Sequence, residues 1–148
     1  MIIKRDAVPM QAFAGSAPRT QAGLSDAGGL TQFGAHLVTL QPGQHSSTRH
    51  WHASEDEFLY MLDGTGTVIE QSGESVITPG DCCCWPAGVE NAHHVVNRSA
   101  LPLTYLMVGT RVAEDTVRYP DAGRTLFHRA NGWQLVADDG TIIESGTP

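Results

Sequence analysis

Residues 49–64 read RHWHASEDEFLYMLDG, and this stretch decides the fold. His50 and His52 flank Trp51, so on an extended strand both imidazoles point to the same face. Glu57 lies five residues past His52, an odd interval that sends it to the opposite face of an unbroken strand. The intervening Ala53-Ser54-Glu55-Asp56 is small and polar, so a bend is expected there, resetting the parity. Glu57 abuts the apolar run Phe58–Leu62, which closes at the turn pair Asp63-Gly64. Of the three neighbouring acids, Glu57 is therefore expected to start a strand, and Glu55 and Asp56 to sit solvated in the loop. With Glu57 turned inward, Leu59 and Met61 follow it, while Phe58, Tyr60 and Leu62 face away.

The same punctuation extends in both directions. Ala35–Leu40 stops at Pro42-Gly43, Glu74–Thr78 at Pro79-Gly80, and Asp81–Trp85 at Pro86-Ala87-Gly88. Gly66–Gln71, Ala92–Asn97 and Leu103–Val108 end in turn residues as well. Seven short runs without a helical period predict an all-β antiparallel sandwich or barrel over residues 34–110. Residues 1–33, rich in Ala, Gly, Gln and Ser, read as an irregular arm with one short strand. Residues 111–148 read as an extension packed outside the barrel. It carries a turn at Tyr119-Pro120-Asp121 and a hairpin around Ala130-Asn131-Gly132. The whole chain, 1–148, is expected to form one domain.

Composition narrows the function. Charged residues make up only 17%, with 16 Gly and 8 Pro, as in turn-rich β proteins. The net charge is −7 and Lys4 is the sole lysine, a poor basis for binding nucleic acid or an anionic membrane. No run is apolar enough to span a bilayer, and no apolar stretch follows the charged Lys4-Arg5-Asp6, so a cytoplasmic protein is expected. Cys82, Cys83 and Cys84 are adjacent and odd in number, so they supply no disulfide framework. They are expected to line a buried strand.

Two strand imidazoles, a nearby carboxylate and the later pair His93-His94 are the donor types a borderline divalent ion selects. Surface histidines around a tryptophan are the plain alternative to a metal site.

Two blocks resemble the paired motifs of the cupin superfamily. The first runs Gly43, six residues, His50-Trp51-His52, four residues, Glu57, six residues, Gly64. The second runs Gly80, five residues, Pro86-Ala87-Gly88, four residues, His93, three residues, Asn97. The resemblance implies a double-stranded β-helix and a metal site of three histidines and one carboxylate: His50, His52, Glu57 and His93. The second motif is two residues longer than usual after Gly88. Counting forward from Gly88 lands on Asn91, counting back from Asn97 lands on His93, and His94 is its neighbour. Register from the strand entering Asn97 favours His93, with His94 facing the other way. Such a site keeps open positions on the ion. Fe(II) and Mn(II) suit it best, and Zn, Ni and Cu match its donors.

The expected function is that of a metal-dependent enzyme on a small, mostly apolar molecule. Dioxygenase-like chemistry is favoured over isomerisation or decarboxylation. The alternative is a non-catalytic small-molecule sensor. Leu103, Tyr105 and Met107 share one face of the last barrel strand, and Trp51 and Trp85 are candidates to frame a mouth. No lysine or arginine falls on the expected inner face, which disfavours phosphorylated sugars. Arg49, Arg98 and Arg111 read as strand-end anchors. Single-barrel cupins usually pair, so the resemblance also implies a homodimer, with the arm as the exchanged element.

Overall fold

The computed structural model describes residues 1–15 and 17–147. In chain order the strands are β1 (Gln11–Phe13), β2 (Arg19–Gly23), β3 (Phe33–Leu40), β4 (Trp51–His52) and β5 (Glu57–Asp63). Then come β6 (Gly66–Glu70), β7 (Gly73–Ile77), β8 (Cys82–Trp85), β9 (His94–Val96) and β10 (Leu103–Thr110). The last four are β11 (Asp115–Tyr119), β12 (Arg124–Arg129), β13 (Gly132–Ala137) and β14 (Ile142–Gly146). One short helix, α1 (Leu24–Ala27), separates β2 from β3. All strand pairs are antiparallel. No helix among the described residues is long and apolar enough to cross a membrane.

Three sheets build the fold: β1-β2-β3-β10-β5-β8, β7-β6-β9, and β14-β13-β12-β11-β4. An isolated bridge between His50 and His93 joins the second sheet to the third. The core lies between the sheets, where Leu40, Leu59, Met61, Leu103 and Tyr105 are fully buried among Val38, Val68 and Val95. The alternation expected of β5 and β10 holds: Leu59, Met61, Leu103 and Tyr105 point in, and Phe58, Tyr60 and Leu62 are exposed.

Tight turns hold the register. Gly64 has φ of 81°, and a Cβ there would lie 2.7 Å from the Pro102 carbonyl oxygen, so the Asp63-Gly64 turn requires glycine. Asn97 is fully buried and serves three strands' ends. Its amide donates to the carbonyls of Leu40 and Leu101, and its oxygen accepts from Ser99.

Three expectations change here. The arm carries two strands, not one, and β2 pairs with β3 from Thr20↔Thr39 to Gly23↔His36. The extension contains the expected hairpin, β12–β13. It does not lie apart from the barrel, however, because β11 pairs directly with β4. Polar composition hid this strand: only Asp115 and Val117 of β11 are buried, and one of the two is charged. Cys82 and Cys84 are exposed, because they share the outer face of the sheet with their partners Tyr60 and Phe58, and only Cys83, beside Leu59, turns toward the core.

Replacing Asn97 by Ala leaves the buried Leu40 carbonyl without this donor and the Ser99 amide without its acceptor, and unsatisfied buried polar groups cost on the order of 1–3 kcal/mol each. Urea unfolding of Asn97→Ala is expected to show a loss of about 3 kcal/mol, and a loss below about 1 kcal/mol would refute this role.

Candidate metal centre

The bend predicted between His52 and Glu57 is present: residues 53–56 are not in a strand, and β5 begins at Glu57. Asp115 shapes it from below. Its buried carboxylate accepts from the Ser54 amide at 2.8 Å and from His52 Nδ1 at 2.6 Å. The bend returns Glu57 to the face of the two histidines. His50, His52 and Glu57 each present a donor atom within 4.8 Å of the others.

His93 reaches the same point from the opposite strand. Its backbone pairs with His50 in both directions, at 2.9 and 3.2 Å. Its ring is buried, and Nε2 lies 2.9 Å from Glu57 Oε2. His52 Nε2 and His50 Nε2 lie 3.6 and 3.9 Å from that same oxygen. The other two candidates go elsewhere. His94 turns away and donates from Nδ1 to the Ser47 carbonyl. Asn91 bonds Glu70 and the Gln71 amide.

The protonation pattern follows from the outer partners. His50 Nδ1 donates to the Thr48 carbonyl at 2.8 Å, His93 Nδ1 to the Asn91 carbonyl at 3.0 Å, and His52 Nδ1 to Asp115. Carbonyl and carboxylate oxygens only accept, so all three Nδ1 atoms carry the proton. In the neutral rings the three Nε2 lone pairs then face one carboxylate oxygen. A cation between them is required: a proton in the 2.9 Å His93–Glu57 contact, or a metal ion. The donor set thus fits a divalent metal, with ring orientation fixed from outside as metal-binding histidines need.

Electrostatics agree. Burial pushes His50 down to about 4, so its ring is neutral at ordinary pH. Burial raises the Glu57 carboxyl, but the hydrogen bond with His93 and the nearby His52 and His50 rings outweigh it, leaving a net lowering.

The ring of His93 is stacked on Trp85, with centroids 3.8 Å apart and planes 3° from parallel. Trp85 donates to Glu70, which also accepts from Asn91, the residue whose carbonyl holds His93 Nδ1. Trp85 is therefore buried support that also lines a pocket of about 340 Å³ with Glu57, Phe58 and Val108, and Trp51 lines a separate surface groove with Gln71 and Glu90. Glu55 is also not solvated as expected. It accepts from the Val112 amide and lies 3.7 Å from His52 Nδ1, where burial raises its carboxyl.

Two residues that matter here were not found in the sequence. Asp115 and Tyr119 sit on β11, and Tyr119 places its ring 5.6 Å from that of His50. Their one signal was the alternation Asp115-Thr116-Val117-Arg118-Tyr119. Beyond Tyr119 opens a cleft of about 540 Å³. Arg19, Arg124 and His128 line it, so positive side chains come from the arm and the extension, not from the barrel strands.

A model of the cupin domain family matches residues 36–109. A solved structure from Silicibacter pomeroyi, described as a sugar phosphate isomerase from a cupin superfamily, is 35% identical over 97% of each chain, with a TM-score of 0.89. A second, from Acidithiobacillus ferrooxidans and described as a putative sugar phosphate isomerase, is 28% identical with a TM-score of 0.88. It covers 97% of this chain and 96% of its own. A predicted oxalate decarboxylase from Thermotoga maritima, 22% identical with a TM-score of 0.65, covers 76% of this chain and all of its own, and shares the fold. No curated protein matches the chain. The chain belongs to the cupin superfamily.

The neutral, buried His50 has a consequence for stability. Below pH 6.5 the unfolded chain protonates this residue, whereas the folded chain resists until about pH 4. The stabilisation is complete above 6.5 and is lost as the pH falls toward 4. His36 and His94, also lowered by burial, act in the same direction. Urea unfolding of chelator-treated protein is expected to show about 2 kcal/mol less stability at pH 5 than at pH 7. His50→Asn should flatten that dependence, and an unchanged slope would contradict the assignment.

Proposed function

We propose that this cupin is a metal-dependent enzyme in which His50, His52, Glu57 and His93 hold one divalent ion. Fe(II) and Mn(II) are favoured, and Zn, Ni and Cu suit the donors too. The observation that carries the reading is the convergence of three Nε2 lone pairs on the Glu57 carboxylate, with every Nδ1 proton committed elsewhere. When bound, the ion supplies Lewis-acid polarisation of a substrate oxygen.

The chain's own groups orient and protect the centre. Asp115 holds His52 in one tautomer, and the Trp85 stack fixes the plane of His93. Leu59, Met61 and Tyr105 keep water from the barrel side. Tyr119 brings a phenol beside His50. Burial raises its hydroxyl, so it remains a hydrogen-bond donor at neutral pH.

For the reaction, the preference is isomerisation of a small phosphorylated sugar. The support is the description of the two full-length relatives, joined to the cationic cleft beside His50. The apolar wall of the barrel supports a second reading, oxygen insertion into a weakly polar substrate. The whole chain acts as one domain in either case.

Metal analysis after purification without chelator is expected to find about one ion per chain. His52→Ala and His93→Ala should lose it, and Asp115→Asn should bind it about 10–100-fold more weakly. Unchanged stoichiometry in both alanine variants would refute the site. With Fe(II) or Mn(II) loaded, aldose–ketose interconversion of a phosphorylated sugar followed by NMR should proceed without oxygen uptake. Oxygen consumption would select the second reading, and saturable binding without turnover would make the protein a sensor.

The homodimer belongs to the same proposal. The outer face of β5 exposes Phe58, Tyr60 and Leu62, and light scattering should give twice the chain mass. A single-chain mass would overturn it.

A further inference from the structure

Arg124 stands apart from most arginines of this chain. Arg49, Arg98, Arg111 and Arg118 each pair with a carboxylate: Asp121, Glu74, Asp26 and Asp138. Arg129 donates to the carbonyls of Asp115 and His128, and Arg19 to Gln21 and the Ala17 carbonyl. Among the described residues, Arg124 Nε is buried and has no hydrogen-bond partner. Its guanidinium carbon lies instead 5.4 Å from the centre of the Tyr119 ring. A buried N–H left unpaired is unfavourable. The resting position of this side chain is thus held by a ring face, and a ligand that draws the guanidinium outward recovers the missing bond.

The surroundings specify the ligand's charge. On β12 the alternate residues Arg124, Leu126 and His128 share one face and line the cleft. Arg19 enters from β2. No carboxylate is among the described residues lining the cleft, although the chain carries a net charge of −7. Two guanidiniums and an imidazole facing a common space favour an anion. The number of donors suits a phosphate dianion better than a single carboxylate, which one arginine satisfies. Trp133 and Leu135, paired with His128 and Leu126 on the neighbouring strand β13, supply an apolar wall beside them.

The cleft reaches the outer side of His50, the ligand whose Nε2 faces the candidate metal centre. Ser47 and Thr48 line it, and both contact His50 Nδ1 through the Ser47 hydroxyl and the Thr48 carbonyl. Tyr119 is shared: its ring is 5.6 Å from His50 on one side and 5.4 Å from Arg124 on the other.

We propose that Arg124, with Arg19 and His128, forms the phosphate subsite of the substrate, with Tyr119 as the shared wall between this subsite and the metal-bound end. The assignment rests on the reading of His50, His52, Glu57 and His93 as the reaction centre. It makes Arg124 a specificity residue, selecting phosphorylated over neutral substrates.

The test is calorimetric titration of inorganic phosphate into chelator-treated protein, so that no metal competes for the anion. Saturable binding is expected, weakened about tenfold in Arg124→Gln, the scale of one charge-assisted hydrogen bond. Partial retention is expected in Arg124→Lys and no change in Arg98→Gln, whose partner is Glu74. Acetate, a monoanion, should bind about tenfold more weakly than phosphate. Should Arg124→Gln fail to fold, judged by its melting temperature, Arg19→Gln serves in its place. Equal phosphate affinity in wild type and variant, equal affinity for acetate, or no saturable binding would overturn the subsite. In metal-loaded protein, ribose 5-phosphate should bind at least about tenfold more tightly than phosphate; equal affinity would mean a site for free phosphate and defeat the substrate assignment. Loss of the metal reading alone would leave the chelator-treated titrations unchanged, so the two failures are distinguishable.

Discussion

A single hydrogen bond, 2.6 Å from His52 Nδ1 to the Asp115 carboxylate, is the constraint on which the site depends. Asp115 is 4% exposed, and a charge so buried persists only when fully partnered. Its partners are what make it structural. One oxygen takes the His52 proton and so leaves Nε2 as the inward lone pair. The other takes the Ser54 amide and so sets the bend that returns Glu57 to the histidine face. The Arg129 guanidinium closes over the Asp115 carbonyl from β12. One residue therefore joins the third sheet to the barrel, selects a tautomer and corrects a strand's parity.

The fold was legible because its signals are local. The turns at Asp63-Gly64 and Pro86-Ala87-Gly88 and the alternation of β5 and β10 declare themselves within a few residues. His50 and His52 share a face by spacing, and Glu57 joins them through the bend that the polar residues 53–56 announced and the motif resemblance implied. His93 needed register carried back from Asn97, and the structure supplies the cause: Asn97 is a buried clamp that fixes where its strand begins and ends. Asp115 and Tyr119 were not legible. They belong to a strand with polar residues at alternate positions, and its partner, β4, is only two residues long. Pairing between segments sixty residues apart leaves no mark in either one. The cysteines show the converse error. Three small apolar side chains in a row read as core, but alternate residues of a strand face opposite ways, and the outer face of this sheet, where Cys82 and Cys84 stand beside Tyr60 and Phe58, is exposed.

The same distance in sequence explains why phosphorylated ligands first looked unfavourable. The barrel strands do lack an inward cation, and Arg49, Arg98 and Arg111 are indeed committed to surface carboxylates. The positive charge near the centre is brought by β2 and β12, which lie outside the two sequence motifs. The barrel supplies lone pairs and the flanking segments supply guanidiniums. On the proposed reading, a ligand complementary to both has two unlike ends, an oxygen donor for a metal and a separate anion. Molecules with only one of these features leave half of the cavity unsatisfied.

Tyr119 decides how strictly that rule is applied. It stands between His50 and Arg124, and its ring faces both. An aromatic face holds a guanidinium more weakly than an anion does. The ring is thus a resting place that a phosphate can outcompete and a neutral hydroxyl cannot. On the proposed assignment, selectivity arises from the free protein as well as from the complex. Arg124 gives up a weak contact and an unpaired N–H for a strong one only when the correct charge arrives, and a neutral analogue must displace the guanidinium without that return.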